Sequence, residues 1–178
     1  MQNCDFDKDA ALTSIIYIAS KVASPTFHKI SKLLYFADKR HLDAYGRFIS
    51  GDNYVAMKHG PVPSVTYDIL KAVRNCGHPA FNASMLEEFR DALEVKSNYQ
   101  IVPKALPNLE FLSETDLECL EYAIETYGSM SFQELTNLSH DEAYEATGYN
   151  DYIDIEDIAK MSSDGDILLE HLRDPVPG

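Results

Sequence analysis

The sequence predicts an α+β fold: a predominantly helical single domain with a small antiparallel β-sheet or hairpin. Three observations carry this. Apolar residues recur at three-to-four spacing over most of the chain, the signature of helices with one buried face. Only short runs, Tyr54 to Met57 and the two flanking Ser97-Asn98, have β-prone composition. The length of 178 residues suits one domain with a real core and is short for two.

In chain order, residues 1–10 read as a flexible N-terminus, residues 11–172 as the folded domain and residues 173–178 as a disordered tail. Asp5, Asp7 and Asp9 alternate as in a calcium loop, but Ala10 stands where that loop needs Gly, so they read as an acidic helix start. Ala11 to Ala23 forms the first helix, with Leu12, Ile15, Ile16, Ala19 and Val22 on its buried side. Ser24-Pro25 ends it and Thr26 caps the next. That second helix carries Phe27, Ile30, Leu33, Leu34, Ala37 and Leu42, and Gly46 suits its left-handed cap. Gly51-Asp52-Asn53 forms a turn before the Tyr54 strand. Gly60-Pro61-Val62-Pro63 is expected to stop that strand, with a proline in the first turn of the following helix to Arg74.

Asn75 to Pro79 reads as a loop and Ser84 to Arg90 as a helical turn. Ala92–Lys96 and Tyr99–Pro103 form a hairpin about Ser97-Asn98, expected to pair with the Tyr54 strand in one sheet. Ser113-Glu114-Thr115-Asp116 and Ser131-Phe132-Gln133-Glu134 are capping-box patterns opening two more helices. Short helices are expected over 142–147, around Ile155 to Met161, and from Asp166 to Leu172.

Fifteen Lys and Arg oppose twenty-nine Asp and Glu, a net charge of −14. That argues against nucleic acid as a partner, since phosphate contacts need clustered cations, although Lys29, Lys32, Lys39 and Arg40 form a local group. An acidic surface favours a basic protein partner. Cys4, Cys76 and Cys119 are odd in number and widely spaced, as free thiols in a reducing compartment are. With neither a signal-peptide pattern nor an apolar run of membrane-spanning length, the expected location is cytoplasmic, without a membrane partner.

Phosphate-binding glycine loops, GxSxG and HExxH are absent, so no enzyme activity, catalytic residue, metal or cofactor is expected. Asp38 and His41, three residues apart on one helix face, are the best acid–base pair, but they lack a nucleophile and an oxyanion donor. Cys76 and His78 lack the second pair a zinc site needs. Eleven tyrosines suit either core edges or a protein interface.

One block combines many residue types in order: Lys32-Leu33-Leu34-Tyr35-Phe36-Ala37-Asp38, His41-Leu42, Tyr45-Gly46-Arg47, Gly51-Asp52, Lys58-His59-Gly60-Pro61-Val62 and Tyr67. A second runs from Leu112-Ser113 through Tyr127-Gly128 and Leu135 to Leu138-Ser139-His140. Together they resemble the Panacea domain, a family of phage- and bacteria-associated antitoxins. Met57 departs from an expected Trp, and Ala143-Tyr144 from an expected Pro-Trp. The resemblance implies an antitoxin of a toxin–antitoxin system. Such a protein neutralises a cognate protein toxin, usually encoded beside it, by direct contact and without a cofactor. A variant of that reading is an adaptor that delivers the toxin to a protease. A transcriptional regulator placing its first two helices on DNA is the alternative. The candidate contact residues are Tyr35, Asp38, His41, Tyr54, Lys58, His59 and Tyr67, taken as exposed members of the motif. Lys32, Leu34, Phe36, Gly46, Gly60 and Pro61 are its architectural members.

Overall fold

The computed structural model describes residues 6–174, so Cys4, Asp5 and the Pro-Val-Pro-Gly end lie outside the described residues. Its axis is a 19-residue helix, α2 (Phe27–Tyr45). Apolar residues alone would bury only a stripe of it, yet Ser31, Lys32, Asp38 and His41 are buried as well. Neighbouring elements therefore enclose α2 along most of its circumference.

Helix α1 (Lys8–Lys21) packs beside α2. It begins three residues earlier than the apolar stripe suggests, because the Asp7 side chain accepts from the Ala10 amide at 2.9 Å and caps it. Thr26 caps α2 through the Lys29 amide at 3.3 Å, and Gly46 closes it at φ 75°. Strands β1 (Tyr54–Met57) and β2 (Gly60–Pro63) then form an antiparallel ribbon against α2, followed by α3 (Ser64–Asn75) and α4 (Ala83–Ala92). Strands β3 (Leu93–Val95) and β4 (Ile101–Pro103) form a second ribbon. A 3-10 turn at Leu109–Phe111 leads into α5 (Glu114–Tyr127), which packs along α2. Helices α6 (Phe132–Ser139), α7 (Glu142–Glu145), α8 (Ile155–Ala159) and α9 (Gly165–Arg173) complete the fold. The molecule is thus a helical α+β domain, and among the described residues no helix is long and apolar enough to cross a membrane.

The β-structure differs from expectation in two ways. Gly60-Pro61-Val62-Pro63 does not end the sheet; it is the partner strand of β1, in register Tyr54↔Pro63, Val55↔Val62, Ala56↔Pro61 and Met57↔Gly60. Lys58-His59 is therefore the two-residue turn of a hairpin. In such a hairpin the pairs flanking the loop alternate between bonded and non-bonded, so both prolines fall where no ladder donor is needed. Opposite them, Ala56 and Tyr54 point their backbone groups outward, to Asp151, Asn150 and Ile153 at 2.8–2.9 Å. Second, the β3–β4 ribbon does not pair with β1; the two sheets are separate, and α4 runs on to Ala92.

Both capping boxes form. Ser113 accepts from the Asp116 amide at 3.2 Å while Asp116 accepts from the Ser113 amide at 2.8 Å. Ser131 and Glu134 repeat the exchange at 3.3 and 2.8 Å. Helix α3 starts after Pro63, which has no capping side chain. Asp52 replaces it from the preceding loop, accepting from the amides of Asn53, Val65 and Thr66 at 2.8–3.0 Å.

Candidate functional site

Four of the seven candidate contact residues are core residues. Tyr35, His41 and Tyr54 are at most 1% exposed and Asp38 is 3% exposed, which corrects the expectation of exposure. Their polar atoms explain why they are inside: each is satisfied by a partner distant in sequence. Asp38 accepts from the Ile49 amide at 2.7 Å and from the Tyr54 hydroxyl at 2.6 Å, tying α2 to β1 and the loop between them. Burial raises the Asp38 carboxyl to about 6, although those two donors work to lower it. The Tyr35 hydroxyl donates to Asp141 at 2.9 Å, and Lys39 reaches the same carboxylate at 2.6 Å.

His41 turns to a different network from that of Asp38. Its Nδ1 lies 2.9 Å from the Arg47 carbonyl, which fixes that nitrogen as the donor. Its Nε2 lies 3.0 Å from Asp116 and 3.1 Å from the Thr115 hydroxyl. Burial works to raise Asp116, but His41, Ser113 and Arg47 outweigh it and hold the carboxyl at about 2. Asp38 and His41 thus brace α2 against β1 and α5 respectively. Cys76 is exposed, as the left-handed cap of α3, and Cys119 is buried in α5. His78 lies 3.5 Å from Asp68. No group of three or more potential metal ligands is assembled among the described residues.

Lys58, His59 and Tyr67 behave differently. Together with the architectural residues Lys32 and Gly60 they line a cavity of about 370 Å³ between the N-terminal half of α2, the hairpin turn and α6. Phe27, Tyr67 and Tyr99 form one wall in edge-to-face contacts, with ring centroids 5.7 and 5.4 Å apart. Phe132 forms the opposite wall, stacked on His28 at 3.8 Å and met edge-on by His59 at 5.2 Å. Lys32 is 1% exposed, and its Nζ donates to the outward-facing Pro61 carbonyl at 2.7 Å. Burial draws its ammonium down to about 7. Burial, then Lys32, His59 and Lys29, draw His28 down to about 4. Gly60 is required here: its φ is +101°, and a Cβ would lie 2.3 Å from the Ser139 hydroxyl and 3.0 Å from Lys32 Cε.

His28, Tyr99, Phe132 and Tyr149 are cavity residues that the sequence did not single out. Phe132 stands about a hundred positions from His28, and no periodic signal joins them. A second hollow of about 430 Å³ lies between α2, α5 and α8, lined by Lys39 and Arg40 among others, and holds none of the seven candidates. The basic group Lys29, Lys32, Lys39 and Arg40 does not form an open stripe. Lys29 bonds the Gly128 carbonyl at 2.9 Å, Lys39 bonds Asp141, and Arg40 lies over Tyr122 at 4.0 Å.

A family model described as antitoxin SocA-like, Panacea domain, matches residues 30–145. No curated protein and no solved structure gave a match. The matched stretch begins inside α2 and ends with α7. It holds the hairpin, the Asp38 and His41 networks, and the α6 side of the cavity. It is well over half of the chain, and the chain therefore belongs to the SocA-like antitoxin family built on the Panacea domain.

Proposed function

We propose that this protein is the antitoxin of a toxin–antitoxin system and neutralises a cognate protein toxin by direct binding, without catalysis and without a cofactor. The family membership carries the reading. The contact face is the hairpin turn and the cavity beside it, through Lys58, His59 and Tyr67, because these candidates reach the surface while Tyr35, Asp38, His41 and Tyr54 hold the scaffold rigid behind them. Neutralisation then works by covering or locking the toxin. A cytoplasmic location fits this role and the free thiols Cys76 and Cys119.

The test is co-expression with the product of the adjacent reading frame, scored by growth and by co-purification. Rescue with a stable complex is the expected result. Rescue without a complex, with falling toxin levels, would replace sequestration by delivery to a protease. A neighbour that is not toxic would remove the reading, and salt-sensitive DNA binding would then be measured.

A further inference from the structure

We infer that the cavity beside the hairpin turn seats an apolar side chain of the partner protein that lies next to a carboxylate, with Lys32 as the carboxylate's counter-ion. This rests on the reading of the chain as a binder of a protein partner.

Three observations converge. The first is Lys32 itself. An ammonium taken out of water is costly unless it is paired with opposite charge. Here one carbonyl accepts from it, and among the described residues no carboxylate forms an ion pair with it. Burial leaves it poised between its charged and neutral forms, so an arriving anion would restore the full charge and supply the missing partner.

The second is the sign of the lining. The chain has twenty-nine acidic residues, yet no Asp or Glu lines this cavity, whereas Lys32 and Lys58 both do. On a protein of net charge −14 this is a local reversal that selects an acidic ligand group. The third is the rim. Tyr99, Phe132 and Tyr149 are 47%, 49% and 69% exposed, an unusual cluster of aromatics facing water, and the residue types that anchor protein partners. A volume of about 370 Å³ is small for a ligand site and suits one or two side chains.

The experiment titrates the full chain with N-acetylphenylalanine and, separately, with its amide, following the ring protons of His28 and His59 by NMR. The acid is expected to saturate and to bind about tenfold tighter than the amide, the scale of one hydrogen bond between charged groups. Lys32→Met is expected to abolish that preference. His59→Glu, an exposed change that leaves the core alone, is expected to weaken the acid and not the amide. Saturating acid is expected to release the co-purified partner. Equal binding of acid and amide, no binding of either, or a preference that survives Lys32→Met would each overturn the inference. Acid that binds while the partner stays bound would do so too, by making the cavity a small-molecule site. Loss of growth rescue with the acid preference intact would instead overturn the antitoxin reading alone.

Discussion

Asp38 and Asp116 are two carboxylates on facing helices whose acidities are shifted in opposite directions, Asp38 by burial and Asp116 by its hydrogen bonds and neighbouring charge, and they give the protein a defined response to acid. Asp38 is held at about 6 by burial, above its unfolded value of about 4. The folded state therefore binds the Asp38 proton more tightly than the unfolded chain does. Its contribution is complete below about pH 4 and is lost as pH rises through about 6. Asp116, held at about 2, contributes stability above about pH 4 that is lost as pH falls through about 2. Asp52 is also raised by burial, so it adds to the Asp38 slope. In Asp38→Asn the amide oxygen can still accept from Ile49, but nothing titrates. Urea unfolding between pH 4 and 7 should show the native protein losing about 2–3 kcal/mol relative to the variant. Parallel pH profiles would show that Asp38 is ionised without cost in the fold.

The hairpin is the element on which scaffold and cavity meet, and it rests on Gly60. Gly60→Ala combines a left-handed φ of +101° with a Cβ placed against the Ser139 hydroxyl at 2.3 Å. Strain of this kind costs about 1–3 kcal/mol, and the overlap adds to it. Removing the hydroxyl in Gly60→Ala/Ser139→Ala should return part of the loss and leave the backbone part. Equilibrium unfolding of the four proteins measures the coupling, and strictly additive losses would show that the two residues do not compete for space. The same element shows where the sequence was legible. Helices announced themselves through spacing and local caps, and Asp7, Thr26, Gly46, Ser113 and Ser131 all cap as their residue types suggest. The strand at Gly60–Pro63 did not, because two prolines and a glycine look like a breaker unless the register of the ribbon is known. Asp38 and His41 looked like surface residues because the groups that satisfy them come from the 47–54 segment and from α5, which no local pattern reveals. The two departures from the expected family pattern, Met57 and Tyr144, prove to be neighbours, since the Tyr144 hydroxyl donates to the Met57 carbonyl at 2.8 Å.

Across the whole molecule, the enclosure of α2 decides what a partner can touch. With Tyr35, Asp38 and His41 sealed inside, the motif reaches solvent at the hairpin turn and the cavity at the N-terminal half of α2, and at Tyr45 and Arg47 beyond its other end. On the proposed function, recognition through that face would use positive charge on an otherwise acidic protein. Lys58 isolates this effect: it is exposed and makes no side-chain hydrogen bond or ion pair among the described residues. Lys58→Glu should therefore leave the unfolding midpoint nearly unchanged, within about 0.5 kcal/mol. It should nevertheless reduce rescue of growth and recovery of the complex, because a carboxylate at the mouth repels the acidic group proposed to enter. Lys58→Gln, which removes charge without reversing it, should fall between the two. If Lys58→Glu folds normally and still neutralises the partner like the native chain, the turn lies outside the interface and the contact face must be sought elsewhere on the molecule.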